Sequence, residues 1–135
     1  MKYLLIVFSF LVFISCSKKN MVVLFDTKTS HLYEEVSIKE LKKNYNEYNG
    51  KWLIVTDGFI NMDYEYSVLQ PQIRMNINDV SDIWVWYPDR GFNDIFKRIN
   101  KKKVIIKGFF TTSSRGHLGL YPGAIKDVTY IAVYE

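Results

Sequence analysis

The 135-residue sequence predicts a mainly β domain: a small five-stranded barrel with a helix ahead of it and a short helix between strands three and four. Three observations carry that expectation. Short runs of branched and aromatic side chains recur between turn-forming residues, which is the signal of strands. In residues 102–134 two such runs, KVIIKGFF and VTYIAVY, flank a long loop rich in Gly, Ser and Thr. Val104 and Ile106 fall on one side of the first run, and Ile131 and Val133 on one side of the second. Finally, ten Tyr, nine Phe and three Trp supply large areas to bury, in a chain long enough for one domain. The alternative architecture is a small open sheet packed on one helix.

Ahead of this domain, residues 1–15 carry one charge, Lys2, followed by an apolar run broken only by Ser9. The run is shorter than the ~20 apolar residues that cross a bilayer, and it fits the centre of a secretory signal. Ser15 and Cys16 follow. This end resembles the signal of bacterial lipoproteins, where a small residue precedes a cysteine that receives lipid and becomes the new N-terminus. Phe13 stands where that pattern most often has Leu. The resemblance implies lipidation at Cys16, a mature chain starting there, and attachment to a membrane of the cell envelope on its periplasmic side. Each buried acyl methylene contributes about 0.8 kcal/mol, so two or more acyl chains, palmitate among them, anchor firmly. Ser17 is not the Asp of an inner-membrane retention signal, which favours the outer membrane. An ordinary secretory signal with an incidental cysteine is the alternative. Cys16 is the only cysteine, so no intrachain disulfide forms, and acylation leaves no free thiol.

Residues 16–35 read as the lipidated N-terminus, a tether and a leading segment, and residues 36–135 as the barrel domain. In the leading segment MVVLF, residues 21–25, either pairs as an extra strand or packs beneath the domain. His31 stands alone and reads as structural. Ser37 and Glu40 have the spacing of a capping box. Ile38, Leu41 and Tyr45 follow at helical spacing, and Gly50 marks the end of an amphipathic helix that plugs one end of the barrel.

Residues 51–60 form the first barrel strand, with Gly58 as a bulge or bend. Residues 61–63 read as a turn, and residues 64–69 as the second strand, with residues 73–75 as its candidate resumption beyond Pro71; the strand lies on an edge or breaks there because proline lacks an N–H. DIWVWY, residues 82–87, is the third strand, ended by Pro88. Phe92, Ile95, Phe96 and Ile99 define the short helix over residues 91–100. Residues 103–110 and 128–134 are strands four and five. The order of three strands, a helix and two strands, together with KVIIKGFF, RGHLGLYPG and IKDVTYI, resembles small exported bacterial lipoproteins of the OB-fold class over residues 36–135. That class is a five-stranded Greek-key barrel that binds through strands two and three and the neighbouring loops.

The net charge of +4 is mild, and its one run, Lys101 to Lys103, reads as a solvated turn, so a nucleic-acid partner is not expected. Two candidate surfaces remain. Trp84 and Trp86 share one side of strand three. If they face outward beside Tyr64 and Tyr66 they form an aromatic platform for a glycan or small ligand; otherwise they are core, with Ile83 and Val85 under the helix. The loop over residues 111–123 offers Arg115 as a planar donor fork and His117 as an imidazole, both usable on an acidic group.

Ser113 or Ser114 with His117 lacks the strained turn of a nucleophile. Two histidines without cysteine or carboxylate at ligand spacing make no metal site. Asp79, Asp82 and Asp89 read as caps and solvating charges. The expectation is a noncatalytic, cofactor-free binding module that engages an envelope protein. The alternative is glycan or small-ligand binding through Tyr66, Trp84, Trp86, Arg115 and His117.

Overall fold

The computed structural model describes residues 19–63, 66–72, 81–86 and 92–135. Among these residues it is mainly β, with seven strands and two short helices: β1 (Met21–Asp26), β2 (Glu34–Val36), α1 (Ile38–Lys43), β3 (Lys51–Asp63), β4 (Tyr66–Gln70), β5 (Ile83–Val85), α2 (Phe92–Ile99), β6 (Lys103–Thr111) and β7 (Ala124–Tyr134). Five of the strands close a barrel. β3 pairs antiparallel with β4, β4 with β5, β6 with β7, and β6 with β3, while β5 and β7 run parallel and complete the ring.

β3 and β7 are longer than the barrel partners on their second edges, and the surplus edge is covered in each case. β1 lies antiparallel on β7 from Met21 opposite Tyr134 to Asp26 opposite Tyr130. β2 lies parallel on β3 at residues 53–55. Both additions pair backbone groups that would otherwise form an open edge. The leading segment is therefore a strand of the same sheet. β2, with the sequence EEV, is too short and polar to show a strand period.

Gly58 behaves as its position predicts. Between Val55 and Gly58 β3 advances one residue more than β6, the signature of a bulge. A Cβ at Gly58 would lie 2.5 Å from the Leu69 side chain, so only glycine lets β3 and β4 approach there. Residues 61–63, expected as a turn, continue β3. Asn61 is buried because its amide donates to Gln70 Oε1 (3.2 Å), a partner invisible to local composition.

β7 begins at Ala124, four residues before its expected start. It advances from Tyr130 to Lys126 while β6 advances from Lys107 to Phe109, and Asp127 takes a left-handed φ of 49° in the bulge. That bulge breaks the alternation that marks a strand in sequence. β4 ends at Gln70, immediately before Pro71. Residues 73–75, Asp79, Tyr87, Pro88 and Asp89 lie outside the described residues.

The Ser37 cap forms as read, while the Glu40 carboxylate accepts instead from Asn44 Nδ2 (2.7 Å). The Glu40 N–H donates to Ser37 Oγ (3.1 Å), and the Ile38 N–H is capped by Asp57 Oδ1 of β3 (2.7 Å). The helix stops after six residues at Asn44 and passes into a 3₁₀ turn, Tyr45–Tyr48, before Gly50 (φ 79°). Ile38 and Leu41 of α1 and Phe96 and Ile99 of α2 are fully buried in the core. They meet Val104, Ile106, Ile131 and Val133, the side chains that the alternation had assigned to the interior.

Asp82 corrects the reading of the acidic residues. It is 0% exposed rather than solvating, and accepts from Lys42 Nζ of α1 (2.6 Å) and Gln70 Nε2 of β4 (2.8 Å). Removing one member of a buried ion pair leaves the other uncompensated. Lys42→Met is expected to lower unfolding free energy by about 3 kcal/mol. Asp82→Asn is expected to cost less, because the lysine, 13% exposed, can turn toward water. Urea denaturation of the two variants checks the ranking; a neutral Lys42→Met would contradict it.

Candidate functional site

β5 holds the site, and its two sides are both covered. Ile83 and Val85 point into the barrel and belong to the main core. Trp84 points outward yet is only 5% exposed, because the loop over residues 112–123 folds across it. The Tyr121 ring lies 5.0 Å from the Trp84 ring, and Val68 and Ala124 complete a small second core.

Gly116 crosses the indole at a φ of 66°, where a Cβ would sit 2.5 Å from Trp84 Cδ2. Trp86 lies just beyond β5, 44% exposed, with its ring 5.7 Å from Trp84. Its Nε1–H donates to Ser114 Oγ (2.7 Å), tying it to the loop. The two tryptophans are thus neither an open platform nor part of the main core: one is roofed by the loop and the other sits at the loop's rim.

The loop has internal structure. The Ser113 N–H donates to Thr111 Oγ1 (3.2 Å), the Thr112 N–H donates to Asn49 Oδ1 (2.9 Å), and the Tyr121 N–H donates to the Arg115 carbonyl (3.1 Å). Between these ties the chain makes a distorted 3₁₀ turn, His117–Gly119, with Leu118 left-handed at φ 55°. Leu118 is 78% and Leu120 56% exposed, and Arg115 and His117 are exposed on the same loop. Trp84, Trp86, Arg115 and His117 are therefore carried by one loop and the strand beneath it. Tyr66 opens β4, but its side chain lies outside the described residues, as do Tyr64 and Cys16.

A second aromatic face was not singled out in the sequence. Trp52 of β3 and Phe109 of β6 are cross-strand partners with rings 5.5 Å apart on the outside of the barrel. His31 stacks on Trp52 at 3.6 Å with 11° between planes, and Tyr33 packs edge-on to both rings. Lys107 reaches over the Tyr130 ring (4.6 Å) and the Tyr33 ring (5.4 Å), and Lys126 over Phe109 (5.6 Å). The one available signal was alternation: Trp52, Lys107 and Phe109 occupy outward positions of their strands. The residues that meet them, His31 and Tyr33, come from a segment without periodicity.

Among the described residues no group of three or more His, Cys, Asp or Glu is arranged to hold a metal ion, and no helix is long and apolar enough to cross a membrane. No protein-family model, curated protein or solved structure matches the chain.

Gly116→Ala adds a Cβ against the Trp84 ring and strains the left-handed backbone. The expected result is a loss of about 1–3 kcal/mol with a red shift of tryptophan emission as the loop lifts. Unchanged emission and stability would show that the loop does not hold Trp84.

The Tyr130 phenol is pushed above its usual pKa, chiefly by burial and further by Asp26 and Tyr134. The unfolded chain therefore loses this proton first and binds fewer protons, so stability falls as pH rises above about 10. Tyr130→Phe is expected to flatten that fall in denaturation midpoints measured at successive alkaline pH values.

Proposed function

We propose that this protein is a noncatalytic, lipid-anchored binding module of the bacterial cell envelope, with an OB-fold barrel that engages a protein partner through the rim of its 112–123 loop. The observation that carries the reading is where exposed apolar area collects. Among the described residues six large apolar side chains stand exposed, and three of them, Trp86, Leu118 and Leu120, are on this loop or bonded to it.

Arg115 and His117 accompany them. A tryptophan and an arginine beside leucines, on a loop braced by backbone hydrogen bonds, match the composition of protein-binding hot spots better than that of a catalytic cleft. The barrel's strand order and its β5–β7 parallel closure support the OB-fold assignment. The Ser15–Cys16 sequence supports the anchor, with the outer membrane favoured.

Glycan binding is the second reading, favoured by the half-open Trp86 ring bonded to Ser114, with Arg115 exposed next in the loop. Burial of Trp84 leaves one indole rather than two for stacking. Photo-crosslinking in cells, with the reactive residue at Trp86 and separately at Leu118, is expected to yield one discrete protein adduct. Absence of any adduct from folded, lipidated protein would overturn the partner reading. Cys16→Ala is expected to abolish labelling by a palmitate analogue, and persistent labelling would overturn the anchor.

A further inference from the structure

A cleft of about 160 Å³ lies between the segment after β1 and the outer face of β6 and β7, lined by Asp26, Lys28, Thr29, Tyr33, Lys107, Thr129 and Tyr130. No residue of β5 or of the 112–123 loop lines it, and every side chain in its lining is polar or carries a polar tip.

The walls are held in place. The Thr27 N–H donates to the Thr129 carbonyl (2.9 Å), the Lys28 N–H donates to Asp26 Oδ1 (2.9 Å), and Lys28 turns the chain at φ 41°. The Tyr33 hydroxyl bridges Thr29 Oγ1 (2.6 Å) and Thr129 Oγ1 (2.7 Å). Lys107 and Tyr130 are direct cross-strand partners on the floor, and the lysine ammonium rests over the Tyr130 and Tyr33 rings. Among the described residues no carboxylate lies within ion-pair distance of Lys107 or Lys28.

We propose that this cleft binds one ring of an acidic saccharide, a sugar carrying a carboxylate. The volume is below the ~300–1,000 Å³ typical of drug-sized ligands and suits a single ring. The Tyr33 and Tyr130 rings around the Lys107 ammonium give apolar contact for the C–H face of a pyranose. Of the four lining hydroxyls, Thr29, Tyr33 and Thr129 are bonded to one another and keep acceptor lone pairs, while the Tyr130 hydroxyl adds a donor and the second Asp26 oxygen an acceptor for sugar hydroxyls.

Two lysines against one aspartate leave one positive charge, which a single carboxylate on the ligand neutralises. The alternative small anion, phosphate, calls for converging backbone N–H groups or an arginine fork. Here the Thr27 and Lys28 N–H groups are already used within the wall, and Asp26 would repel a doubly charged ion.

The test uses the full-length protein in detergent micelles, titrated with trigalacturonate, with maltotriose, and with inorganic phosphate at matched ionic strength. The backbone amides of Thr29, Lys107 and Thr129 are followed by NMR. Trigalacturonate is expected to shift these amides saturably, with maltotriose and phosphate far weaker. Lys107→Met is expected to weaken binding about tenfold, the size of one charge-assisted contact. Lys126→Met, on the same face but outside the cleft, should stay within about twofold.

Equal binding by wild type and Lys107→Met, equal shifts with phosphate or with an acidic hexapeptide, or equal affinity for maltotriose would each overturn the assignment. If Lys107→Met does not fold, Lys28→Met on the exposed turn replaces it, and unchanged affinity there counts against the proposal in the same way. These outcomes are independent of the loop-rim reading, because no residue of the 112–123 loop enters the cleft.

Discussion

The carboxylate of Asp82 is fully buried, and two donors from separate elements converge on it: the ammonium of Lys42 on α1 and the amide of Gln70 at the end of β4. It stands immediately before β5, a strand of three residues that must join β4 on one side and β7 on the other. So short a strand offers few ladder hydrogen bonds, yet the barrel cannot close without it. A buried charge left without partners costs several kcal/mol, so the chain settles where all three groups meet. That arrangement holds α1 against the barrel and fixes the direction in which β5 presents Trp84.

Closure creates a second problem outside the ring. Alternation in a small barrel sends half of each strand's side chains outward, and here those include Trp52, Trp84, Phe109 and Tyr130. The irregular segments answer it. Residues 27–33 bring His31 and Tyr33 over Trp52, while the 112–123 loop lays Gly116 and Tyr121 on Trp84. Each segment therefore acts as a partial outer layer, and each leaves chemistry at its margin. The loop leaves an apolar rim of Trp86, Leu118 and Leu120, and the leading segment leaves a hydroxyl- and amine-lined cleft.

The two margins differ in what holds them. The loop rim is braced mainly by backbone and short side-chain ties within the loop and to Asn49. The cleft is braced by a hydroxyl relay from Thr29 through Tyr33 to Thr129, groups about a hundred residues apart in sequence. The first surface varies with the loop alone, whereas the second depends on β1 staying paired with β7.

Local patterns determined a good part of this protein. Alternation placed Val104, Ile106, Ile131 and Val133 inside, the Ser37 and Glu40 spacing marked the start of α1, Gly58 marked a bulge, and the 3.6-residue period of Phe96 and Ile99 found α2. These are legible because each depends on neighbours within a few residues, where backbone geometry sets the period. What only the tertiary structure decided depends on partners far away. Asn61 continues a strand because Gln70 satisfies it, and Asp82 is buried because Lys42 reaches it. Trp84 is covered because a loop some thirty residues later returns over it, and His31 has a role in packing because Trp52 offers it a ring face. The cost of burying a polar group or exposing an indole is set by what lies across the gap, and no local window contains that information.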